Sequence, residues 1–225
     1  MYASASTWLF NVARQLHNAA GAGPVATQFV SGRADFSGFD DPSVTRIVKS
    51  HEISDEPTLL DLARRTTRIL VTMRDPRDAA TSLMRYHGYD FAAAKPLIEQ
   101  AARLCMGFAR DRRAMLLHFE SGFAQSSASV ARVAAHLGYP PDPDAEARIF
   151  AAHQRQEIEK HIAGLDRMPG ALMDPISGDR LDPHTHWHTH HAGRDGEIGR
   201  WRRVLSPAQA ASLSDALADC YDFVP

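Results

Sequence analysis

The sequence predicts an α/β fold in three layers, with a mainly parallel sheet flanked by helices. Two observations lead there. Short β-branched or apolar runs at 44–51, 67–74 and 114–120 alternate with stretches of helical period, as strands do when they return through helical crossovers. A length of 225 residues also suits one α/β domain with enough chain to bury a core. Ligands of such sheets bind beyond the carboxyl ends of the strands, so residues at strand exits matter most.

The elements follow in order. Trp8, Val12, Leu16 and Ala19 recur at helical spacing, and this first helix stops at "GAGP". "VTRIVKSH" (44–51) reads as a strand ending near Lys49 to His51, and "PTLLDLARR" (57–65) as a helix. "TRILVTMR" (67–74) is a second buried strand, after which Asp75 suits an N-cap, Pro76 the first helical position and Asp78 the third. Residues 95–110 form an amphipathic helix with Leu97, Ala101, Leu104, Cys105 and Phe108 on one face. "AMLLHFE" (114–120) is a third strand, and "SSASVARVAAHLG" a helix ending at Gly138. "SPAQAASLSDAL" closes the chain, with Ser206 as N-cap and Gln209 completing a capping box. The Gly-, Pro-, Asp- and His-rich stretch 164–193 shows no clear period. It exceeds the ~12–15 residues usual for a structureless loop, so it reads as a lid or partly disordered loop within a single domain.

Composition narrows the function. The formal net charge of -2 argues against non-specific nucleic-acid binding. Cys105 and Cys220 sit in apolar helical patterns far apart and form no metal, redox or disulfide motif, so a reducing cytoplasm is the default location. No run reaches the ~18 apolar residues of a membrane span, and the N-terminus lacks the charged region and apolar run of a signal peptide.

Four segments fall where a ligand should sit. In "SASTWLFN", Ser4, Ser6 and Thr7 offer hydroxyls beside the free amides of a helix start, a seat for phosphate as well as an ordinary cap. Lys49 and His51, two apart in an extended segment, point the same way and pair a cation with a titratable imidazole. Arg74 leaves its strand at the expected crevice, with Ser82 two helical turns on, and arginine suits bidentate phosphate recognition. The structural alternative pairs Arg74 with Asp78, while Arg77 reads as a solvated helix charge. In "RDGEIGRW", Gly196 and Gly199 let backbone approach a ligand closely and Arg194 adds charge, although a surface turn would look the same.

Together and in this order, the four segments resemble the sulfotransferases that use 3′-phosphoadenosine 5′-phosphosulfate (PAPS). In that family P-K/R-S-G-T/S-T-W binds the 5′-phosphosulfate, and "YASASTW" matches it at Ser4, Ser6, Thr7 and Trp8. The family's K-T/S-H, matched by Lys49-Ser50-His51, carries a cation at the transferred sulfonyl and the catalytic base. Its R-D/N-P-x-D-x-x-x-S, which binds the 3′-phosphate, maps onto Arg74, Asp75, Pro76, Asp78 and Ser82. Its R-K-G-x-x-G-x-W maps onto Arg194, Gly196, Gly199 and Trp201 and closes over the same phosphate. The resemblance implies a P-loop-like fold, PAPS as co-substrate with no metal required, and transfer of a sulfonyl group to a hydroxyl or amine. It makes Trp8 an aromatic contact beside the adenine, and it puts Phe119 where members often carry Tyr. An imidazole with an ordinary pKa of about 6.5 would be suitably poised as base near neutral pH.

The chain departs from the pattern at named places. Ala3 stands at the basic position of the first turn, Ala5 replaces its glycine and is tolerable there only with a negative φ, and Asp195 replaces the late lysine. Only Met1 and Tyr2 precede the turn's small residues, so the family's first strand has no residues to form it. The expectation is an incomplete sheet, with "VATQFVSG" (25–32) as a β-rich candidate for a neighbouring position and low stability or a partner at the edge.

"HTHWHTHH" (184–191) raises a metal alternative, since His184, His186, His188 and His190 would share one face of an extended segment. A solvated loop, or a lid whose imidazoles meet an anionic substrate, accounts for the tract equally. The acceptor, whether small molecule, saccharide or lipid, would be selected by the loops around 32–43, 84–94 and 164–193, and a homo-oligomer is left open.

Overall fold

The computed structural model describes residues 1–30, 36, 39, 41–53, 55–174, 178–192 and 196–222. Helix α1 (Ser6–Ala19) leads into strand β1 (Val25–Phe29), which pairs in parallel with β2 (Thr45–Lys49). Helix α2 (Glu56–Arg65) connects to β3 (Ile69–Met73), followed by α3 (Pro76–His87), α4 (Phe91–Ala109) and β4 (Ala114–His118). Then come α5 (Ser127–Leu137), α6 (Pro143–Ala152), α7 (Arg155–Ala163), the hairpin strands β5 (Leu172–Met173) and β6 (Arg180–Leu181), α8 (Trp201–Val204) and α9 (Pro207–Leu217). The result is the α/β architecture the alternation predicts.

Strands β3 and β4 pair in parallel in the middle layer, with Ile69 opposite Ala114 and Met73 opposite His118. Their side chains alternate between two faces, as the period of a strand requires. Ile69, Val71 and Met73 pack with Ala80 and Leu83 of α3, Ile98 and Ala101 of α4, and Leu213 and Leu217 of α9. Leu117 joins the opposite core with Trp8, Val12 and Leu16 of α1, Val130 and Val133 of α5, and Ile149 of α6. A third, smaller core of Val30, Phe36 and Ile53 lies against Leu59 and Leu62 of α2.

Within the candidate segment 25–32, Val25–Phe29 form a strand, while 31 and 32 lie outside the described residues, and the sheet is split. The pairs β1–β2 and β3–β4 are separate two-stranded sheets, and no strand joins them among the described residues. Residues 1–4 lie against β3 instead: the Met1 ammonium donates to the Thr72 carbonyl at 3.1 Å, and Met1 itself is buried.

Local chemistry explains the helix boundaries. Asp75 caps α3 by accepting from the Arg77 amide, and Gly88 ends that helix at φ 67. The Ser206–Gln209 capping box at α9 is present in both directions. Helix α4 starts earlier than its apolar period suggests, because Asp90 caps it by accepting from the Ala93 amide. Its fully buried stripe is Ala94, Ile98, Ala101, Ala102 and Cys105, while Leu97 and Phe108 flank it and Leu104 turns to the third core. Helices pack closest where small residues line the contact, which is why alanine dominates that stripe.

The described residues of the long stretch 164–193 carry short local elements. Leu165–Arg167 and Thr189–Ala192 form single 3₁₀ turns on either side of the antiparallel β5–β6 hairpin. Asp182, buried beneath it, accepts from the His184 amide and the Thr185 hydroxyl. Such side-chain bonds to nearby backbone are local and leave no period in the sequence.

Candidate active site

Helix α1 begins in a strained turn. Ala3 and Ala5 adopt φ 51 and φ 59, both left-handed, and Ala5 is the N-cap. A negative φ at Ala5, the condition for alanine to stand there comfortably, is therefore not met. Left-handed backbone costs a residue with Cβ roughly 1–2 kcal/mol. No side chain caps α1, and no acidic residue sits in its first turn, so the amides at this helix start are left for another acceptor.

The hydroxyls of the turn go different ways. Ser4 is fully buried, and its Oγ bonds the Met1 carbonyl at 2.6 Å and the Thr72 hydroxyl at 2.7 Å, so it ties the turn to β3. Ser6 is half-buried at the first position of α1. Thr7 accepts a 2.6 Å hydrogen bond from Lys49 Nζ. Trp8 lies inside the core, edge-on to Phe123 at 5.6 Å and to His153 at 6.5 Å, with its indole Nε1 buried and unbonded.

Lys49 ends β2 only 7% exposed, and among the described residues no carboxylate pairs with it. Burial brings its ammonium from 10.5 down to about 7. His51 lies just beyond the strand, stacked on Tyr2 at 4.7 Å and edge-on to Phe29 at 5.9 Å, and its Nδ1 is buried without a partner. Burial holds this imidazole well below its ordinary value, and the charges of Lys49 and the N-terminus push the same way. It is therefore neutral at pH 7 rather than poised near 6.5.

Arg74, 3% exposed, joins three segments at once. Its guanidinium donates to the Ala3 carbonyl at 3.1 Å and the Glu197 carbonyl at 2.8 Å, and stacks on Phe119 at 4.4 Å. Asp78 lies 3.9 Å away, Nε is buried without a partner, and burial lowers the guanidinium from its ordinary value. Asp78 spends its carboxylate on the late segment, accepting from the Gly199 amide at 2.6 Å and the Trp201 amide at 2.9 Å. Arg77 is not a solvated charge: it is buried, paired with Asp75 at 2.6 Å, and stacked over Trp201 at 3.9 Å. Sequence spacing could not show this, because the covering ring arrives from the far end of the chain.

Ser82 is half-buried on α3, and its hydroxyl has no partner among the described residues. A Cβ at Gly196 would meet the Phe119 ring at 3.3 Å, so this glycine permits the close approach of the late segment. Gly199 takes φ 80. Arg194 and Asp195 lie outside the described residues. One further contact was not signalled by any motif: Glu120, just past β4, accepts from the Asp75 amide at 2.8 Å.

The four predicted segments thus converge, and the exit of β4 joins them. Thr7 meets Lys49, Arg74 bridges the first turn to the late segment, and Asp78 fixes that segment to α3. Chemically the assembly is a helix N-terminus flanked by two buried cations and a neutral imidazole, an arrangement suited to anionic groups.

No protein-family model and no curated protein sequence matches the chain. Solved structures do. Mouse sulfotransferase SULT7A1 complexed with PAP is similar with a TM-score of 0.65 and 16% identity, over 97% of this chain and 80% of that one. Retinol dehydratase in complex with androsterone and the inactive cofactor PAP gives 0.53 and 21%, over 82% of this chain and 56% of that one. Its complex with retinol and PAP gives 0.51 and 19%, over 82% and 57%. The chain spans a little over half the length of retinol dehydratase. These likenesses establish the fold as that of the sulfotransferases, P-loop-like α/β. Among the described residues no helix is long and apolar enough to cross a membrane.

Proposed function

We propose that the chain is a PAPS-dependent sulfotransferase that moves a sulfonyl group to a hydroxyl or amine of a small molecule, saccharide or lipid. The observation that carries this reading is the pair of buried cations, Lys49 and Arg74, with no carboxylate among the described residues closer than 3.9 Å to either. A buried charge without close compensation is expensive, and an anionic ligand with two phosphoryl-type groups would supply what each lacks. The uncapped start of α1 adds amide donors, and the unbonded Nε of Arg74 adds another. PAP in each of the similar structures fits such a site.

The residues divide the work as follows. Thr7, Ser6 and the first-turn amides of α1 hold the 5′ group, and Trp8 backs that turn from inside the core. Arg74, with Ser82, Gly196 and Arg194, holds the 3′-phosphate. As the acceptor oxygen forms its bond to sulfur, the bond from sulfur to the bridging oxygen of the 5′-phosphate breaks. His51 accepts the acceptor's proton, which its neutral state at pH 7 allows. Lys49 offsets charge developing on the sulfonyl and leaving phosphate. Positioning and electrostatics do most of such transfers, as in phosphoryl chemistry.

A second reading, a catalytically impaired nucleotide- or partner-binding protein, is favoured by one observation. Ala3 leaves the basic position of the turn without a cation, and loss of one such contact costs ~10²–10³ in rate. Transfer of labelled sulfate from PAPS to a panel of hydroxyl and amine acceptors separates the two. Turnover that disappears in His51→Ala supports the enzyme, whereas PAP binding without transfer to any acceptor supports the second reading.

A further inference from the structure

The histidine tract does not fold as an extended ribbon with one imidazole face. His186 takes φ 55 and breaks the alternation, and its ring turns edge-on to Phe10 at 4.8 Å. His184 points to solvent. His188 and His190 instead converge on the β5–β6 hairpin. One donor atom each from Asp179, His188 and His190 lies within 4.8 Å of the others.

We propose that Asp179, His188 and His190 bind a divalent transition metal of the zinc type, which staples the hairpin to the turn at 189–192. The donor chemistry selects the metal, because two imidazoles and a carboxylate suit zinc and its neighbours rather than magnesium or calcium. Tetrahedral coordination at ~2.0–2.1 Å sets donors roughly 3.3 Å apart, so an ion would take the place of the Asp179–His190 hydrogen bond and hold the three donors, now within 4.8 Å, at that spacing. His188 Nδ1 is buried without a hydrogen-bond partner, and the Asp174 carboxylate lies 3.9 Å from it as a candidate fourth ligand.

The surroundings are those of an oriented site. The Thr189 hydroxyl donates to Asp179 Oδ1 at 2.6 Å, holding the carboxylate while its other oxygen meets His190 Nδ1. Outer-sphere partners of this kind fix ligand orientation. His191 Nδ1 accepts from the His188 amide at 3.1 Å, and the His87 and Tyr86 rings pack on His190 at 5.5 and 5.7 Å. The side chains of His188, His190 and Asp179 remain 18%, 20% and 22% exposed, leaving an entry path. Because His87 and Tyr86 belong to α3, a bound ion would also fix the hairpin against the helix that carries Ser82. The site would be structural, and sulfonyl transfer itself is not routed through it.

The test uses the full chain without an affinity tag, stripped by chelator and titrated with Zn²⁺ against a chromophoric chelator. One equivalent per chain should bind with a Kd below about 1 μM, and 100 μM Zn²⁺ should raise the melting temperature by about 5–10 °C. His190→Ala and Asp179→Asn should each weaken binding at least ~100-fold, and Thr189→Val about tenfold. His184→Ala, which changes an exposed histidine outside the cluster, should bind as the wild type does. Binding weaker than about 10 μM, or equal losses in His184→Ala and His190→Ala, would overturn the proposal in favour of an adventitious histidine tract. Should one variant not fold, the wild-type stoichiometry and zinc-dependent melting shift still decide.

Discussion

Replacing Lys49 with methionine should stabilise the fold and abolish the proposed activity, and the stabilisation should depend on pH in a defined direction. Lys49 is 7% exposed, and its ammonium is brought from 10.5 to about 7 by burial. At about 1.4 kcal/mol per tenfold change in proton affinity, that displacement costs the fold about 5 kcal/mol when the group is charged. Below pH 7 native and unfolded chains both hold the proton, so the cost is full and constant. Between about 7 and 10.5 the unfolded chain holds a proton that the native one has shed, so stability climbs with pH. Methionine removes this titration but also removes the 2.6 Å hydrogen bond to Thr7, worth about 1 kcal/mol. Lys49→Met should therefore be more stable than wild type by about 2–4 kcal/mol at pH 6, with the two converging by about pH 9.5. Urea unfolding at both pH values measures the difference directly. A gap that stays the same at both, or a variant less stable than wild type at pH 6, would refute the claim that Lys49 is a buried and uncompensated cation.

Further outcomes follow from the same geometry. Ala5→Gly relieves the left-handed N-cap of α1 and should raise stability by about 0.5–1 kcal/mol after the added freedom of the unfolded chain is counted, as thermal unfolding would show. Asp78→Ala strands the Gly199 and Trp201 amides and should cost about 3–5 kcal/mol, whereas an unchanged melting temperature would mean the late segment is held by other contacts. Ala3→Lys restores a cation at an exposed position of the first turn and should speed sulfate transfer by about tenfold or more in a single-turnover assay. His51→Ala should lower turnover by ~10²-fold or more while leaving PAP affinity within a few-fold.

Much of the architecture is legible in sequence because its signals are local. The Asp75-Pro76 start of α3 and the Ser206–Gln209 box of α9 are chemical statements made within one turn, and both are present in the fold. The convergence of the four segments was legible for a different reason: their order along the chain resembles the family's, while only Lys49 and Arg74 stand at or just past the end of a strand. What escaped the sequence depends on distant partners. Arg77 is buried only because Trp201 covers it, and Asp78 serves the late segment rather than its own helix start. Ser4 offers a hydroxyl like any other in a turn, yet the Thr72 side chain claims it. The left-handed backbone at Ala5 and His186 runs against residue propensity, so tertiary packing alone can hold it.

The most direct test of the central claim is calorimetric titration with PAP at pH 8, repeated in two buffers of different ionisation enthalpy. A bound anion raises the Lys49 ammonium back towards its ordinary value, so binding should take up close to one proton per PAP from buffer. The account predicts one PAP per chain, a buffer-dependent heat that reports this uptake, and no such dependence in Lys49→Met. No binding heat at millimolar PAP would contradict it.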